Sequence, residues 1–305
     1  MSRELGAPLV SIVVPVLNGE ATVGDCLASL TGLDFPPEER EILVVYQPSR
    51  DRTLKIVQRY PVRLVVEQRR GVSYARNRGI EESRGKFIAF IDADCSASVD
   101  WLKELVNGLS EGSAAAGEAV AFPPRTPVER YAAIRKPSWR ESARQGRPHP
   151  WFLFGTAAVR RDVFNKVGVF DTTFPPGAED IDFCWRFFDA GLKVVECPKA
   201  IVFHRHRVTQ RALWRQHVGY ARGQAVLSRK HPERAPWGWR REIGAWLDLE
   251  VSAWKVLRGW ALRLRNGDEM TFYYPYYDFV RRLAQRVGFV REIWLKPTIN
   301  RHPGR

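Results

Sequence analysis

Short, almost wholly apolar runs recur through the first two thirds of this chain, and they alternate with segments of helical spacing. The clearest run is Phe87–Ile91, and similar runs lie at residues 9–16, 41–45 and 63–67. Strands that are apolar throughout are typical of a parallel sheet covered on both faces, because neither face meets water. Their alternation with helical segments predicts an α/β fold with a doubly wound, mostly parallel sheet.

Further segments continue this pattern: helices are predicted at residues 20–30, 51–59, 73–83 and 178–190, and strands at residues 155–159 and 201–203. A stretch rich in Pro and Arg, residues 122–150, interrupts the alternation. Such a composition predicts a mobile loop with one short helix. The chain is therefore predicted to be one sheet-based domain followed by a different kind of segment.

Two aspartates, Asp92 and Asp94, follow directly after the strand Phe87–Ile91. The carboxyl ends of parallel strands line the crevice in which open α/β sheets bind ligands. Two carboxylates placed there repel each other unless a cation lies beside them, and Mg²⁺ or Mn²⁺ prefers oxygen ligands of this kind. Aspartate also favours turns and helix N-caps, so these residues alone leave a divalent-cation site and a turn as alternatives.

The positive charge of the chain is concentrated near its end. Residues 207–305 hold 20 Lys and Arg against 8 Asp and Glu, which accounts for 12 of the 14 excess positive charges. Seven of the eleven tryptophans lie there as well. An apolar stripe at helical spacing runs through the same region: Ile243, Leu247, Val251, Trp254, Leu257, Ala261 and Leu264. Basic residues flank it: Arg240, Arg241, Lys255, Arg258, Arg263 and Arg265.

This pattern predicts an amphipathic helix with a basic polar face, which is typical of a segment that lies on an anionic membrane surface. A helix that packs its apolar face onto the protein core would show the same spacing, so both alternatives stay open. Basic charge alone would also suit nucleic acid. The first 206 residues are nearly balanced, with 28 basic and 26 acidic residues, and no nucleic-acid motif is present, which argues against that partner.

The spacing of the cysteines and the length of the apolar runs indicate the cellular compartment of the protein. Cys26, Cys95, Cys184 and Cys197 form no closely spaced pair, which argues against a disulfide framework or a zinc site and favours a reducing cytosol. The N-terminus has no apolar targeting segment, and no run approaches the roughly 18 apolar residues of a membrane-spanning helix. We therefore expect a cytoplasmic protein on the inner face of the membrane that does not cross it.

Five segments, in this order, resemble the family 2 glycosyltransferases, which are enzymes of the GT-A fold. The similar segments are residues 11–18, residues 71–79 (GVSYARNRG), residues 92–94 (DAD), residues 168–171 with 179–182 (GVFD and EDID), and residues 198–204. The resemblance covers roughly residues 8–206. It implies a GT-A catalytic domain at residues 1–206, followed by a basic, Trp-rich helical region at residues 207–305.

The resemblance implies an inverting transfer of a sugar from a nucleotide-sugar donor to a hydroxyl or phosphate of a saccharide or lipid-linked acceptor. Such chemistry needs a general base on the acceptor side. Asp180 is the predicted base, and Glu179, Trp151 and Gly155 are predicted to contact the acceptor. Helix capping is the alternative use of Glu179 and Asp180. Asp182 is expected to cap the helix or to pair with Arg186.

A divalent cation, Mg²⁺ or Mn²⁺, is also implied, with Asp94, Asp92 and His204 as its predicted ligands. The predicted contacts of the nucleotide-sugar donor are Pro15, Val16, Leu17, Asn18, Glu20, Gln47, Arg76, Asp92 and Ala93. One departure concerns the end of the second strand, where Tyr46 and Gln47 replace the family's acidic residues. Gln47 can hydrogen-bond a base edge, and Tyr46 can stack on a base, but neither is charged.

Two other classes of function remain to be weighed. A non-catalytic binding protein with a degenerate donor site would explain the missing acidic pair, whereas the retained Asp94, Asp180 and His204 argue against it. A nucleic-acid-associated protein is suggested by charge alone. The sequence therefore favours a glycosyltransferase, without naming its sugar, its nucleotide or its acceptor.

Overall fold

A computed structural model of the chain describes residues 8–135, 151–175, 177–266 and 268–295. These residues form two compact units. The sheet unit consists of the described residues within 1–122, 138–172 and 180–205. The helical unit consists of the described residues within 123–137, 173–179 and 206–305. The helical unit thus includes two short earlier segments, and the single boundary expected at residue 206 stays a prediction.

Eight strands of the described residues form one mixed sheet in the order β3-β2-β1-β4-β7-β6-β8-β5. The strands are β1 Val10–Val16, β2 Arg40–Tyr46, β3 Arg63–Val66, β4 Phe87–Ile91, β5 Cys95–Ala97, β6 Ala114–Ala121, β7 Thr156–Arg160 and β8 Val194–His204. The pairs of β1 with β2, β1 with β4, β2 with β3, and β6 with β8 are parallel. Strand β7 is antiparallel to β4 and β6, and β5 is antiparallel to β8.

The described helices are α1 Val23–Thr31, α2 Thr53–Val57, α3 Val72–Glu82, α4 Trp101–Gly108, α5 Pro127–Ile134, α6 Arg161–Val167, α7 Glu179–Asp189, α8 Gln210–Lys230, α9 Trp239–Asn266 and α10 Glu269–Val290. A π-helical turn, Arg291–Leu295, follows α10.

Apolar side chains cover both faces of the sheet. Ile12 of β1 packs in a cluster with residues of α1 and α4, whereas its neighbour Val13 packs in a second cluster with residues of α3 and α7. Successive residues of a strand point to opposite faces, so a strand that is buried on both sides must be apolar throughout. This arrangement confirms the predicted α/β class with a doubly wound sheet, and the helical unit provides the predicted C-terminal helical extension.

Strand β6 and most of strand β8 were not predicted. Strand β6 reads Ala114-Ala115-Ala116-Gly117-Glu118 in its first half, which lacks the β-branched residues that usually indicate a strand. Strand β8 is 11 residues long, but only its end, residues 201–203, has an apolar run. Both strands form because their partners supply hydrogen bonds along their length. Sequence spacing alone cannot indicate such pairing.

The Pro- and Arg-rich stretch contains the short helix that was predicted. Helix α5 begins after Thr126, whose hydroxyl accepts a hydrogen bond from the amide of Glu129, while the Glu129 carboxylate accepts one from the amide of Thr126. This reciprocal pair satisfies amides that a helix start leaves open. The loop predicted at residues 136–150 lies outside the described residues.

In the helical unit, α10 packs against α5, α8 and α9. Two glycines allow these helices to approach closely, because a methyl group on either one would strike a neighbouring backbone. Gly259 of α9 lies against the carbonyl of Thr271, and Gly288 of α10 lies against the carbonyl of Val218 in α8. None of the helices in the described ranges combines the length and the apolar content needed to span a bilayer.

Helix α9 buries the side that carries Leu249, Ser252 and Gly259. Its predicted apolar stripe is exposed instead: Ile243, Leu247, Val251, Trp254, Leu257 and Leu264 are 50–70% accessible, and Ala261 is exposed as well. In the structure the exposed stripe also includes Trp246 and Trp260, which are 46% and 57% accessible. The alternative that this stripe packs into the core is therefore wrong. Solvent contact on this scale is unusual for large apolar side chains and marks a surface for interaction.

Candidate active site

Segments that were predicted to meet a nucleotide lie side by side at one edge of the sheet. The parallel strands β1, β2 and β4 all end there, followed by Leu17, Gln47 and Asp92. The amide of Gln47 donates a hydrogen bond to the carbonyl of Val16, at 2.9 Å. Asn18 is exposed and has a positive φ of 53°, which allows a tight turn after β1. Pro15 is partly buried and Val16 fully buried.

Asp94 and His204 meet at the end of this edge. Nε2 of His204 lies 3.6 Å from Oδ1 of Asp94. The reason is strand register: Cys95, the first residue of β5, lies directly opposite His204, the last residue of β8. The amide of Arg205 also donates to the carbonyl of Asp94, at 2.9 Å. Two predicted cation ligands are thus brought together by a strand pair that the sequence did not reveal.

Cys95 completes the group of possible ligands. One ligand atom each from Asp94, Cys95 and His204 lies within 4.8 Å of the others. Burial raises the pKa of the Cys95 thiol well above its usual value, and the charges of Asp94 and Asp92 raise it further. Mg²⁺ and Mn²⁺ prefer oxygen ligands to a thiol, which leaves the carboxylate and the imidazole as the donors for such a cation. That pair fits Mg²⁺ or Mn²⁺ with positions open for phosphate oxygens.

Asp92 bonds to an arginine rather than joining this group. Nη2 of Arg76 lies 3.2 Å from Oδ1 of Asp92, and the guanidinium lies over the ring of Phe170, 5.4 Å from its centroid. Arg76 is buried, whereas 40% of the Asp92 side chain is exposed. A methyl group added at Gly155 would lie 2.7 Å from Oδ2 of Asp92. A side chain at position 155 would therefore displace the exposed carboxylate.

Gln47 is held by its amide nitrogen. Nε2 donates to the carbonyl of Arg69 and, at 3.0 Å, to the carbonyl of Gly71. Because both partners are acceptors, the nitrogen must face them, and both of its hydrogens are used. Oε1 remains as an acceptor. Tyr46 cannot stack on a base as was expected, because its ring is buried in the core and its hydroxyl accepts a hydrogen bond from the amide of Ser49.

Glu20 and Ala93, which were also predicted to contact the nucleotide sugar, lie against other parts of the protein. The carboxylate of Glu20 binds Arg52, with Oε1 lying 2.6 Å from Nε and Oε2 lying 3.0 Å from the backbone amide. These hydrogen bonds lower the pKa of Glu20. Ala93 is partly buried and packs against the core. The side chain of Glu20 is therefore turned toward Arg52, and Ala93 presents only a small surface beside Asp92 and Asp94.

The start of α7 carries the predicted base. Oδ1 of Asp180 accepts a hydrogen bond from the amide of Ile181, at 2.9 Å. Oε2 of Glu179, which is buried, accepts from the amides of Gly177 and Ala178, at 2.8 and 3.1 Å. These bonds satisfy amides near a helix start. One oxygen of each carboxylate thus caps backbone amides.

Other side chains near α7 support the local structure. Asp182 pairs with Arg186 one turn later, with Nε and Nη2 each 2.9 Å from Oδ2, and this pairing confirms the prediction. Trp151, a predicted acceptor contact, is partly buried, and its Nε1 has no hydrogen-bond partner among the described residues. A buried indole N–H without a partner is uncommon in folded proteins and calls for an explanation.

Two of the motif segments are joined by Asn77. Its side-chain nitrogen donates to the carbonyl of Phe170, at 2.7 Å, and its oxygen accepts from the amide of Phe170, at 2.9 Å. This paired bond fixes the loop after Gly168 against α3. The sequence indicated both segments but not their contact.

Sequence reasoning missed two neighbours of the candidate cation site. Cys95 follows Asp94 directly, and adjacency to the DAD motif was the available signal. Arg205 follows His204; its guanidinium lies 4.5 Å from the ring centroid of Phe122, and Nη2 lies 2.6 Å from Oδ2 of Asp25. Only the strand pairing reveals that its backbone holds Asp94.

Comparison with known proteins relates this site to nucleotide-sugar chemistry. Residues 11–168 match the family model described as glycosyl transferase family 2. The glycosyltransferase AglE of Haloferax volcanii is 32% identical over 211 residues, which are 66% of this chain and 68% of that protein. The probable glycosyltransferase YdaM of Bacillus subtilis is 29% identical over 238 residues, 72% of this chain and 56% of that protein.

Solved structures share the fold. A mannosyltransferase of Pyrobaculum calidifontis, PcManGT, in complex with GDP-Man and Mn²⁺, superposes with a TM-score of 0.62 at 20% identity and covers 95% of this chain and 88% of its own. TarS of S. aureus in complex with UDP-GlcNAc has a TM-score of 0.51 at 19% identity, covering 90% of this chain and 92% of its own. At these identities the likeness is one of fold.

Proposed function

Because this chain belongs to the family 2 glycosyltransferases, we propose that it transfers a sugar, with inversion, from a nucleotide-sugar donor to a lipid-linked or saccharide acceptor at an anionic membrane surface. The observation that carries the proposal is the meeting of Asp94 and His204 at the sheet edge where β1, β2 and β4 end. A diphosphate bound across that edge would reach both the cation ligands and the nucleotide-facing turns.

A divalent cation fits the residues of this edge. Asp94 and His204 would hold it, and it would neutralise charge that develops on the departing nucleoside diphosphate. The related mannosyltransferase binds GDP-Man together with Mn²⁺, which supports a cation of this type here. Asp92, which is half-exposed and bonded to Arg76, would accept hydrogen bonds from the ribose of the donor or from the water around the cation.

Asp180 would remove the proton from the attacking group of the acceptor. It lies at the start of α7, where the positive end of the helix dipole favours the ionised carboxylate. One of its oxygens accepts a hydrogen bond from the amide of Ile181, which orients the carboxylate. Glu179, Trp151 and Gly155 would line the acceptor side, with the indole N–H of Trp151 as a donor.

Gln47 would select the base of the donor. Its nitrogen is held by two backbone carbonyls, so it offers an acceptor and no donor. If Oε1 meets the ring nitrogen of the base rather than an exocyclic amino group, it pairs with the ring N–H of uracil, thymine or guanine, whereas adenine and cytosine present a lone pair at the corresponding ring nitrogen. We therefore expect uridine, thymidine or guanosine diphosphate sugars as donors.

Helix α9 would bring the protein to its acceptor. Its apolar stripe is exposed and includes Trp254 and Trp260. Exposed basic residues, among them Lys255 and Arg258, flank the stripe. A tryptophan-rich apolar face with basic flanks is suited to the headgroup boundary of an anionic bilayer, and the acceptor would then be an alcohol, phosphate or saccharide carried by a lipid.

A thermal-shift screen of nucleotide sugars with Mn²⁺ tests the donor part. A ligand that binds the folded protein raises its melting temperature by mass action. We expect stabilisation by one or more uridine, thymidine or guanosine diphosphate sugars and its loss when Mn²⁺ is chelated. Stabilisation by adenosine or cytidine compounds alone would contradict the role of Gln47. The absence of stabilisation by every nucleotide sugar would contradict the proposal as a whole.

A further inference from the structure

Three arginines surround one carboxylate in the helical unit. Oδ1 of Asp278 accepts hydrogen bonds from Nη1 of Arg135 at 2.7 Å and from Nη2 of Arg281 at 2.9 Å, and Oδ2 accepts one from Nε of Arg282 at 2.7 Å. The hydroxyl of Tyr131 also donates to Oδ1, at 3.0 Å. We call these five residues the Asp278 cluster. Its members come from α5, the residue after it, and α10.

Positive charge exceeds negative charge in this cluster. Three guanidinium groups face the carboxylate of Asp278, and one of them, that of Arg282, also pairs with Asp248, at 3.6 Å, which leaves a surplus of one among the described residues. The side chain of Asp248 is 69% exposed. Arg281 is almost fully buried. Arg281 is paired with Asp278, so the surplus charge lies on the partly exposed side of the cluster, where it can attract an anion.

The positive charge of this cluster also acts on a partly buried histidine in the same unit. Burial, together with the charges of Arg281 and Arg135, lowers the pKa of His217 to about 4. Its imidazole is therefore neutral at neutral pH. Nδ1 of His217 is buried and has no hydrogen-bond partner among the described residues. The helical unit thus holds both an excess of positive charge and a buried nitrogen, Nδ1 of His217, that lacks a hydrogen-bond partner among the described residues.

We infer that the Asp278 cluster is a binding site for a phosphate group, contacted by Arg135 and Arg282. The side chains of these two arginines are 37% and 33% exposed, so a ligand can reach them. A phosphate monoester carries about 1.5 to 2 negative charges at neutral pH, and the surplus positive charge of the cluster attracts it. The planar guanidinium binds phosphate oxygens through two parallel hydrogen bonds. Arg281 stays bonded to Tyr131 and Gln285 and holds the cluster together.

The source of the phosphate follows from the proposed function. If the acceptor is carried by a lipid, the phosphate would be the one that joins the lipid to its saccharide or that itself receives the sugar. This assignment of the source rests on the proposed function, whereas the phosphate site rests on the cluster alone. A soluble phosphorylated compound would be bound by the same chemistry.

Calorimetric titration of the whole chain with inorganic phosphate tests the site. A chelator keeps the Asp94 and His204 group free of cation, so that binding there does not interfere. We expect Arg135→Gln combined with Arg282→Gln to weaken phosphate binding at least tenfold. Arg211→Gln, which removes an exposed arginine of α8 outside the cluster, serves as the control and should bind phosphate as the unaltered protein does.

Circular dichroism establishes that the double variant is folded. Should it unfold, Arg135→Gln alone provides the test, because Arg135 follows the last residue of α5 and lies partly exposed. Equal phosphate affinity in the folded variant and the unaltered protein would overturn the inference. So would the absence of phosphate binding by the unaltered protein.

Vesicles distinguish the two sources. Phosphatidic acid presents a phosphate monoester, whereas phosphatidylglycerol presents a diester with a single charge. We expect the unaltered protein to prefer phosphatidic acid vesicles over phosphatidylglycerol vesicles of equal surface charge, and the double variant to lose this preference while still binding both. Phosphate binding without this preference would overturn the lipid as the source. Failure to bind either vesicle would contradict the membrane role of α9 and leave the calorimetric result to decide the phosphate site.

Discussion

Nε2 of His204 lies 3.6 Å from Oδ1 of Asp94, at the point where β8 ends and β5 begins. The antiparallel register that sets Cys95 opposite His204 produces this distance. We propose that the two side chains act together on a cation or phosphate bound there.

Replacing either residue is expected to remove cation-dependent donor binding. Asp94→Ala removes the carboxylate, and His204→Ala removes the imidazole. In either variant, Mn²⁺ should no longer increase the thermal stabilisation of the protein by a nucleoside diphosphate. Thermal shift with and without Mn²⁺ measures this effect. Asp34→Ala, which removes an exposed aspartate bound to Lys103, is the matched control. Unchanged Mn²⁺ dependence in Asp94→Ala would show that the cation is held elsewhere.

Asp180→Asn is expected to abolish most turnover. Asparagine keeps the size and the capping ability of the residue but cannot accept a proton, so the rate should fall by about 10²–10⁴-fold. Donor binding should persist, because the substitution leaves the edge near Asp94 intact. Initial rates of sugar transfer, compared with thermal shift by the donor, separate the two effects. Near-normal transfer would place the base at another residue.

Gly155→Ala is expected to impair donor binding more than folding. The added methyl would lie 2.7 Å from Oδ2 of Asp92, so the half-exposed carboxylate must move. Overpacking of this kind costs about 1–3 kcal/mol. Gly244→Ala is the control, since a methyl there meets no atom within 4 Å. Donor affinity equal to that of the unaltered protein would mean that the position of Asp92 does not matter for binding.

Gln47→Glu is expected to destabilise the protein, although an acidic residue is common at this place in the family. A carboxylate cannot donate to the carbonyls of Arg69 and Gly71, which would be left facing negative charge. Leaving such groups unsatisfied costs about 1–3 kcal/mol. Urea denaturation measures the free energy of unfolding, with Gln58→Glu at the end of α2 as the exposed control. An unchanged free energy would contradict the fixed orientation of the Gln47 amide.

Combining Trp254→Ala with Trp260→Ala is expected to weaken binding to anionic vesicles without unfolding the chain. Both side chains are more than half exposed, so their removal takes little from the core. Binding should also weaken as salt rises, because exposed charges on the protein and the bilayer are screened. Vesicle sedimentation measures both effects. Val208→Ala removes an exposed apolar residue outside α9 and should have no effect. Equal vesicle binding by the folded double variant would rule out α9 as the membrane contact.

Much of the candidate site could be predicted because its residues follow strands with a strong local signal. Asp92 and Asp94 follow β4, which coincides with the predicted run Phe87–Ile91. The contacts of these residues could not be predicted in the same way. The bond of Asp92 with Arg76 and the approach of Gly155 depend on side chains brought together from three separate segments.

The sequence by itself determined the α/β class, the parallel half of the sheet and the residues at its edge. A strand that is buried on two faces must be apolar, and the residues that follow such strands line the crevice in which α/β sheets bind ligands. Only the tertiary structure decided that His204 meets Asp94, that the Gln47 amide is fixed by two carbonyls, and that the stripe of α9 faces outward. The physical reason is that burial and pairing are set by partners distant in the chain. A core helix and an interfacial helix share one periodicity, and packing alone separates them.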